Sequence, residues 1–494
     1  MQISAPNIRF IFGLKLKQLR AESGLSLSQL SDKTGISKSY LNEIEKGKKY
    51  PKPEKIDALA EALNTSYDNL VSLQLDKKLT PISSLVKTDL LSELPLDFFG
   101  VSAHDLLVLL SNAPVQFSAF VDAVIRIGRE HDFKVESLYF SVLRSYQEMH
   151  DNYFPELEMS ARALRKQLGI VQYDDSIVDK LQNLLETTYN YTINFDGFEE
   201  HPQIDKLRYL LIPGRKPELL LNKKLSFAQK LFIFSREVGF NVLGIAKRPL
   251  TSSWIETLSF EHVLNNFRSY YLASALLLDE RLFTKGLVDF TKKKQFQPSE
   301  VIRLMEANHS NAEMFMLRIT NLVPKYFRFP QLFFTRYNHS LNDNRMTLTK
   351  ALNGSGIPQT STSFLEDKAC QRWVAYNTLT QFNKTRKTKP ICTVFKVRYE
   401  KSQHQYLVIS VAYPMLPSEH LNCCISVGFL INNRFISKTR FVSDPNIKEA
   451  TVNQKWVLEH YDHFEDGMPN PKLIEREEHL VNLRKEINKL MDNQ

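Results

Sequence analysis

Residues 25–47 constrain the fold of this chain more than any other stretch. They write two short helices joined by a turn at Thr34-Gly35-Ile36. Ser26 is placed to cap the first helix, with Gln29 three residues on as the reciprocal half of a capping box. Leu25 and Leu30 flank that cap as a hydrophobic staple. Ser37 caps the second helix, and Ile36 and Leu41 form its staple. Gly35 stands in the turn, where a residue without Cβ takes positive φ readily.

The flanking residues extend the pattern. Leu16 and Leu19 give the preceding helix an apolar face that can meet Leu27, Leu30 and Ile44. Gly47 ends the second helix. Ile56, Leu59, Ala60 and Leu63 mark a fourth amphipathic helix, and Tyr67, Leu70 and Val71 a fifth. The spacing predicts an all-α five-helix domain over residues 8–73, built around a helix-turn-helix, a motif that usually reads DNA. The second motif helix should project Ser37, Lys38, Ser39 and Asn42, whose side chains can hydrogen-bond base edges in the major groove. Lys46, Lys48, Lys49 and Lys52 are placed for phosphates, which add affinity without sequence information. Lysine and arginine outnumber acids between residues 15 and 55, as a polyanion partner requires.

This segment resembles the Cro/CI-type (xenobiotic-response-element, XRE) family of DNA-binding domains. The matching residues are Arg20, Ser26, Leu30, Gly35, Ile36, Ser37, Ile44, Glu45, Gly47 and Pro51. The resemblance implies a structural ion pair between Arg20 and Glu45. The family usually has glutamine at the first position of the first motif helix. Here it is Leu27, which implies that a contact made by relatives is missing.

With 494 residues the chain has room for several domains, and its formal charge is +9. Four cysteines (Cys370, Cys392, Cys423 and adjacent Cys424) are too few and too scattered for a disulfide framework, so a reducing cytoplasm is expected. No basic-then-apolar leader and no membrane-length apolar run occur, so no membrane partner is expected.

The expected organisation is multidomain. After the first domain come a linker over 74–84, a helical region over 85–190, an α+β region over 191–330, an α+β domain with an antiparallel sheet over 331–471, and an amphipathic helix over 472–494. Helices are expected near 174–185, 226–243, 254–278 and 299–321. Strands are expected near 189–196, 209–212, 219–221, 332–337, 346–348, 391–397, 406–412 and 423–431, and turn formers fill 353–362. Leu480, Leu483, Ile487 and Leu490 fall at heptad a and d positions, which fits either a dimer seam or a helix docked on its own domain.

The helix at 226–240 resembles the one that carries His-Glu-x-x-His in the repressor-cleaving metallopeptidase family. There two histidines bind zinc and the glutamate is the general base. Here Arg236 and Phe240 stand at the histidine positions. Phenylalanine cannot ligate a metal and arginine stays charged. Glu237 is kept, and Glu261 roughly matches the family's downstream acidic ligand. The resemblance therefore implies a degenerate peptidase-like scaffold with no metal, no cofactor and no enzyme activity.

A second resemblance runs further along the chain. Phe267-Arg-Ser-Tyr-Tyr-Leu-Ala-Ser-Ala-Leu-Leu-Leu278, Leu317-Arg-Ile-Thr-Asn-Leu322, Leu332-Phe-Phe-Thr-Arg-Tyr-Asn338 and Ala369-Cys-Gln-Arg-Trp373 look in order like stretches of the short-chain fatty acyl-CoA regulators. That family implies a transcription regulator gated by an acyl-CoA ligand in its C-terminal half. Relatives end on a cysteine cluster. The counterpart here, residues 458–463, keeps Glu459 and Asp462 but no cysteine. His460 and His463 flank Asp462, but a solvated face is expected there rather than a metal site.

Cys370, Arg372 and Trp373 are the expected ligand residues, with Arg336 treated likewise. An arginine can pair with a phosphate or carboxylate, and Cys and Trp can line an acyl or ring site. Burial of Cys370 and Trp373 in the core is the competing reading. Cys423 and Cys424 are expected in the core. The whole predicts a homodimeric regulator on double-stranded DNA with a near-palindromic operator, its half-sites about 34 Å apart. A zinc-dependent repressor-cleaving peptidase and a helix-turn-helix adaptor acting through protein contacts are the alternatives.

Overall fold

The structure, a computed structural model, describes residues 5–72, 135–171, 174–199, 207–251, 259–342, 344–353, 361–385, 389–400, 404–415 and 420–453, together with residues 455, 456, 459, 464, 465, 485 and 487. The chain forms two compact units, Met1–Leu138 and Tyr139–Gln494.

The first unit contains α1 (Ala5–Glu22), α2 (Leu27–Thr34), α3 (Lys38–Glu45), α4 (Pro53–Ala62) and α5 (Tyr67–Val71). Phe12, Leu16, Leu30, Leu41, Ile44, Leu59 and Leu70 share one core. A Cβ on Gly13 would collide with the Ile44 carbonyl oxygen, so α1 can cross the end of α3 closely only because residue 13 is glycine. Lys15 is buried and clips α1 to the end of α5. Its ammonium donates to the Asn69 carbonyl at 2.8 Å and to the Ser72 carbonyl at 2.6 Å. Those carbonyls lack partners inside α5, so the lysine acts as a C-terminal cap.

The second unit opens with α6 (Val135–Met149), α7 (Pro155–Gln167) and α8 (Ser176–Thr187). A small sheet follows from β1 (Thr192–Asn194), β2 (Tyr209–Ile212) and β3 (Glu218–Leu221), in the order β1-β3-β2, with β1 parallel and β2 antiparallel to β3. Then come α9 (Phe227–Val242), α10 (Phe260–Leu277), α11 (Glu280–Thr291), α12 (Pro298–Ala307) and α13 (Ala312–Phe327). The rest is β4 (Leu332–Ser340), β5 (Met346–Asn353), α14 (Ser361–Thr385), β6 (Ile391–Tyr399), β7 (Gln405–Pro414), β8 (Leu421–Leu430), α15 (Asn433–Lys438), β9 (Lys448–Val452) and β10 (Phe464–Glu465).

The large sheet runs β10-β5-β4-β8-β7-β6-β9. Its five inner strands are antiparallel, and the short edge strands β9 and β10 pair parallel to their neighbours. Strand alternation sorts its two faces. Leu332, Phe334, Leu407, Ile409, Ile425 and Val427 join the core with α12 and α13. Phe333, Tyr337, Phe395, Val408 and Cys424 meet α14 on the other side.

One core cluster runs from Leu164 to Ile447. The small sheet and its helices bury their apolar faces against the same interior as the large sheet. The helix expected over 299–321 is two. His309 takes a positive φ of 43°, and Asn311 restarts the chain as α13 by accepting the Met314 N–H at 2.8 Å. Residues 280–291 add α11, started by Asp279, whose carboxylate accepts the Arg281 and Leu282 N–H groups. The expected loop over 353–362 gives way at Ser361 to α14, and the rest of it beyond Asn353 lies outside the described residues.

The linker at 74–84, the expected helices between 85 and 134, the 460–463 segment and most of the C-terminal helix also lie outside the described residues. Ile487 is described. It is fully buried with Phe198, Leu210 and Leu220 of the small-sheet region, as in a helix docked on its own domain. Among the described residues, no helix is long and apolar enough to cross a membrane.

Candidate functional site

The first site is the outer face of α3. Ser26 Oγ accepts the Gln29 N–H at 3.2 Å, and Gln29 Oε1 accepts the Ser26 N–H at 2.8 Å, which closes the capping box of α2. Gly35 ends α2 at φ 67°. Ser37 then caps α3 by accepting the Tyr40 N–H. Arg20 fixes the far end. Its guanidinium meets the Glu45 carboxylate at 2.6 and 3.0 Å and the Leu25 carbonyl at 2.8 Å, tying α1 to α3 and to the entry of α2. Arg20 and Glu45 are therefore scaffold.

With its inner face held by Leu41 and Ile44, α3 leaves Ser37, Lys38 and Ser39 exposed and Asn42 and Lys46 half-buried. Residues 38, 42 and 46 are one turn apart and share a stripe. Lys48 and Lys49 are exposed just beyond the helix. The Lys55 ammonium lies 4.3 Å over the Tyr40 ring, beside the same stripe. The capped N-terminus of α3 adds free backbone N–H groups suited to phosphate. All seven residues expected to contact DNA thus belong to one short helix and the turn after it.

The second site lies in the second unit, around Tyr270 of α10. Glu313, at the start of α13, pairs with Arg336 of β4 at 3.1 Å and with Lys350 of β5 at 3.2 Å. Burial disfavours the Glu313 charge, but Arg336 and Lys350, with Arg208 beyond them, outweigh it and hold the carboxyl down at about 2. The Lys350 ammonium sits 4.6 Å over the Tyr270 ring. Arg336 also donates to Cys423 Sγ and Met415 Sδ, each at 3.4 Å. Burial pushes the Tyr270 phenol well up, and Glu313 adds to it, while Arg336, Arg208 and Arg236 pull the other way. Tyr270 therefore marks a point within electrostatic reach of three arginines. Lys350 adds a fourth cation to this neighbourhood, and Glu313 and Glu237 are its carboxylates.

Arg236 is 6% exposed, and its Nε and Nη2 atoms have no hydrogen-bond acceptor. The guanidinium rests against the Tyr209 ring at 5.4 Å and the Phe240 ring at 5.2 Å. Next to it, Glu237 is 1% exposed and already engaged. Arg248 meets its carboxylate at 3.0 Å and Tyr191 donates to it at 3.2 Å. Arg248 in turn donates to the Tyr191 hydroxyl at 2.6 Å and lies over the Phe240 ring. Glu261 is on the surface with Lys247 at 3.0 Å. Among the described residues, no group of three His, Cys, Asp or Glu side chains could hold a metal ion.

The helix-turn-helix family model matches residues 16–70, which include every residue expected to contact DNA. Residues 16–70 are a helix-turn-helix domain. A domain of this type supports DNA binding by the chain. The comparison with curated proteins gives no match. A solved structure described as a Mycobacterium tuberculosis transcriptional regulator is similar at 15% identity and a TM-score of 0.44, over 64% of this chain and 88% of that one.

Beyond the helix-turn-helix domain, the four residues expected to bind ligand lie on opposite faces of the large sheet. Arg336 points to the α13 side. Cys370, Arg372 and Trp373 belong to α14 on the other face. Cys370 is 1% exposed in a core cluster, and Trp373 meets Phe395 edge-on at 5.2 Å. Arg372 is buried beside Tyr337 and lowers the pull of burial on its phenol. Strand alternation is the reason, since Arg336 and Tyr337 are neighbours and must face opposite ways. Cys423 and Cys424 divide likewise, Cys423 toward Arg336 and Cys424 toward α14, and both are fully buried. Arg208, Tyr270, Glu313 and Lys350 carry no local sequence signal for this site.

Proposed function

We propose that this chain is a ligand-gated transcription regulator. Its helix-turn-helix binds a near-palindromic operator as a homodimer, and an acyl-CoA-like anion held by the basic residues around Tyr270 sets the affinity for DNA. The observation that carries the ligand is Arg236, a buried cation whose Nε and Nη2 lack an acceptor, within electrostatic reach of Tyr270 together with Arg208 and Arg336. Buried donors without partners are costly, and a phosphate or carboxylate supplies charge and acceptors together. Arg208, Arg236, Arg336 and Lys350 would take the phosphates, and Tyr270 offers a flat apolar wall beside them.

Helix α13 supports gating. Its first turn carries Glu313, shared between Arg336 and Lys350. One and two turns on, Arg318 grips Glu158 of α7, and Asn321 donates to the Asn152 carbonyl between α6 and α7. An anion that draws Arg336 or Lys350 away from Glu313 therefore acts on a helix bolted to α6 and α7, the first described elements after the helix-turn-helix domain in the chain.

The region around Glu237 is read as a peptidase-like scaffold put to non-enzymatic use. Arg248 and Tyr191 occupy the carboxylate that a general base would need free. Calorimetric titration of the full chain with acetyl-CoA tests the ligand. Binding in the native protein, weakened more than tenfold by Arg236→Met and by Lys350→Met, is expected. Binding unchanged in both folded variants rejects this binding site.

A further inference from the structure

Where α14 passes the turn between β4 and β5, a cleft of about 370 Å³ opens beside the large sheet. That is the size of a small-molecule site. Met346 and Leu379, each 2% exposed, give it apolar surface. Its polar side is organised by His339, which is buried. Asn422 Nδ2 donates to Asn383 Oδ1 at 2.8 Å, which turns Asn383 Nδ2 toward His339 Nδ1 at 3.4 Å. Nδ1 then accepts, so Nε2 carries the proton and donates to Asn344 Oδ1 at 2.9 Å. Both imidazole nitrogens are thus committed, and the chain of bonds ends on Asn344. The Asn344 Nδ2 group has no partner among the described residues. Nor does the Lys384 ammonium, exposed in the last turn of α14 on the other side of the cleft from the β4–β5 turn.

We propose that this cleft binds a small monocarboxylate carrying a second acceptor oxygen, as in an oxo-acid. The hydrogen-bonding groups left over decide the class. They are mostly donors, the N–H groups of the Asn344 amide and of the Lys384 ammonium. The Thr380 hydroxyl has already given its proton to the Tyr376 carbonyl at 2.8 Å. Lys384 is the one charged side chain among the described lining residues, and no carboxylate stands beside it there, so one negative charge complements the site. The carboxylate meets Lys384, the oxo oxygen takes the Asn344 N–H groups, and the carbons lie on Met346 and Leu379. The ligand thereby bridges α14 and the β4–β5 turn. The space admits about a dozen non-hydrogen atoms at about 30 Å³ each, too few for a coenzyme thioester. His339 faces α14, across the sheet from Arg336 and Glu313, so the cleft is separate from the residues around Tyr270.

Methyl NMR of the full chain labelled at methionine tests the site, with levulinate (4-oxopentanoate) as the probe. Levulinate should give a saturable shift of Met346, assigned through Met346→Leu, and none at Met305 or Met316 in the core across the sheet. Pentanoate, which lacks the oxo oxygen, should bind about fivefold more weakly, the effect of one hydrogen bond. Methyl levulinate, which lacks the charge, should bind at least about tenfold more weakly. Lys384→Gln should weaken levulinate to the same degree and leave methyl levulinate unchanged. Asn344→Gly, which keeps the positive φ of 53° without strain, should make levulinate and pentanoate equal. No saturable shift of Met346 with levulinate in the native chain overturns the site, whatever the variants do. Equal affinity for levulinate and its methyl ester, or undiminished levulinate binding in Lys384→Gln, overturns the assigned charge. Equal affinity for levulinate and pentanoate in the native chain overturns the Asn344 contact. None of these results bears on acetyl-CoA binding, which is read separately by calorimetry.

Discussion

Arg318 of α13 and Glu158 of α7 form a two-pronged ion pair at 2.5 and 2.9 Å, with the arginine side chain fully buried and the glutamate 3% exposed. Arg318 Nε also donates to the Leu278 carbonyl, and Tyr271 donates to Glu158 at 2.8 Å. Every charged atom is therefore met. Removing one partner leaves the other buried without compensation. Arg318→Met should destabilise the second unit by about 3–5 kcal/mol, and the double variant Arg318→Met, Glu158→Gln should recover much of that. Urea denaturation checks it. A single variant as stable as the native chain would contradict the bolting of α13 to α7.

The Arg20–Glu45 pair makes a separate prediction in the first unit. Glu45→Ala strands a half-buried arginine and loosens α1 from α3. We expect a loss of about 2 kcal/mol, read by thermal denaturation, and weaker binding on every DNA sequence with unchanged base preference. A change of preference would make Glu45 a reader instead of scaffold.

On the DNA face, Asn42 and Lys48 should behave differently. Asn42→Ala should relax base preference at one operator position. Lys48→Ala should weaken binding uniformly and reduce the salt slope by about 1. Anisotropy titrations at several salt concentrations separate the two. If neither substitution alters binding, α3 is not the reading helix.

The Glu313 ion cluster carries a pH signature. Glu313 is held at about 2, below its ordinary value of 4.5. A depressed carboxylate adds stability above the unfolded-state value and loses it as pH falls through the folded value. The native chain should lose stability between pH 4.5 and 2 more steeply than Glu313→Gln. Parallel denaturation curves across that window would contradict the ion cluster.

The features written locally were legible. Ser26, Gln29, Gly35 and Ser37 place α2 and α3 within a residue, because caps and turns depend on neighbours in sequence. The strands around 332–337, 391–397, 406–412 and 423–431 also stand where alternation and β-branched runs put them. The features missed are those that only packing decides. Helix α14 buries Gln371, Arg372 and Thr378 as well as Cys370, Val374 and Leu379, so its polar and apolar residues do not segregate into a readable stripe. The break between α12 and α13 had a signal in Asn308-His309-Ser310-Asn311, a run of turn and cap formers, that apolar periodicity alone overrides. The charged neighbourhood of Tyr270 draws Arg208, Arg236, Glu313, Arg336 and Lys350 from separate elements and joins. Arg236 stood out in the sequence only as a misfit at a metal-ligand position.

The most direct test of the account is operator affinity with and without ligand. Genomic fragments bound by the full chain give the operator, and anisotropy at fixed salt then measures its affinity in the absence and presence of saturating acyl-CoA. The account predicts a change of at least about fivefold, the lower end of ordinary allosteric coupling, abolished by Arg236→Met. Identical affinity with and without bound ligand, or a change that survives Arg236→Met, would contradict it.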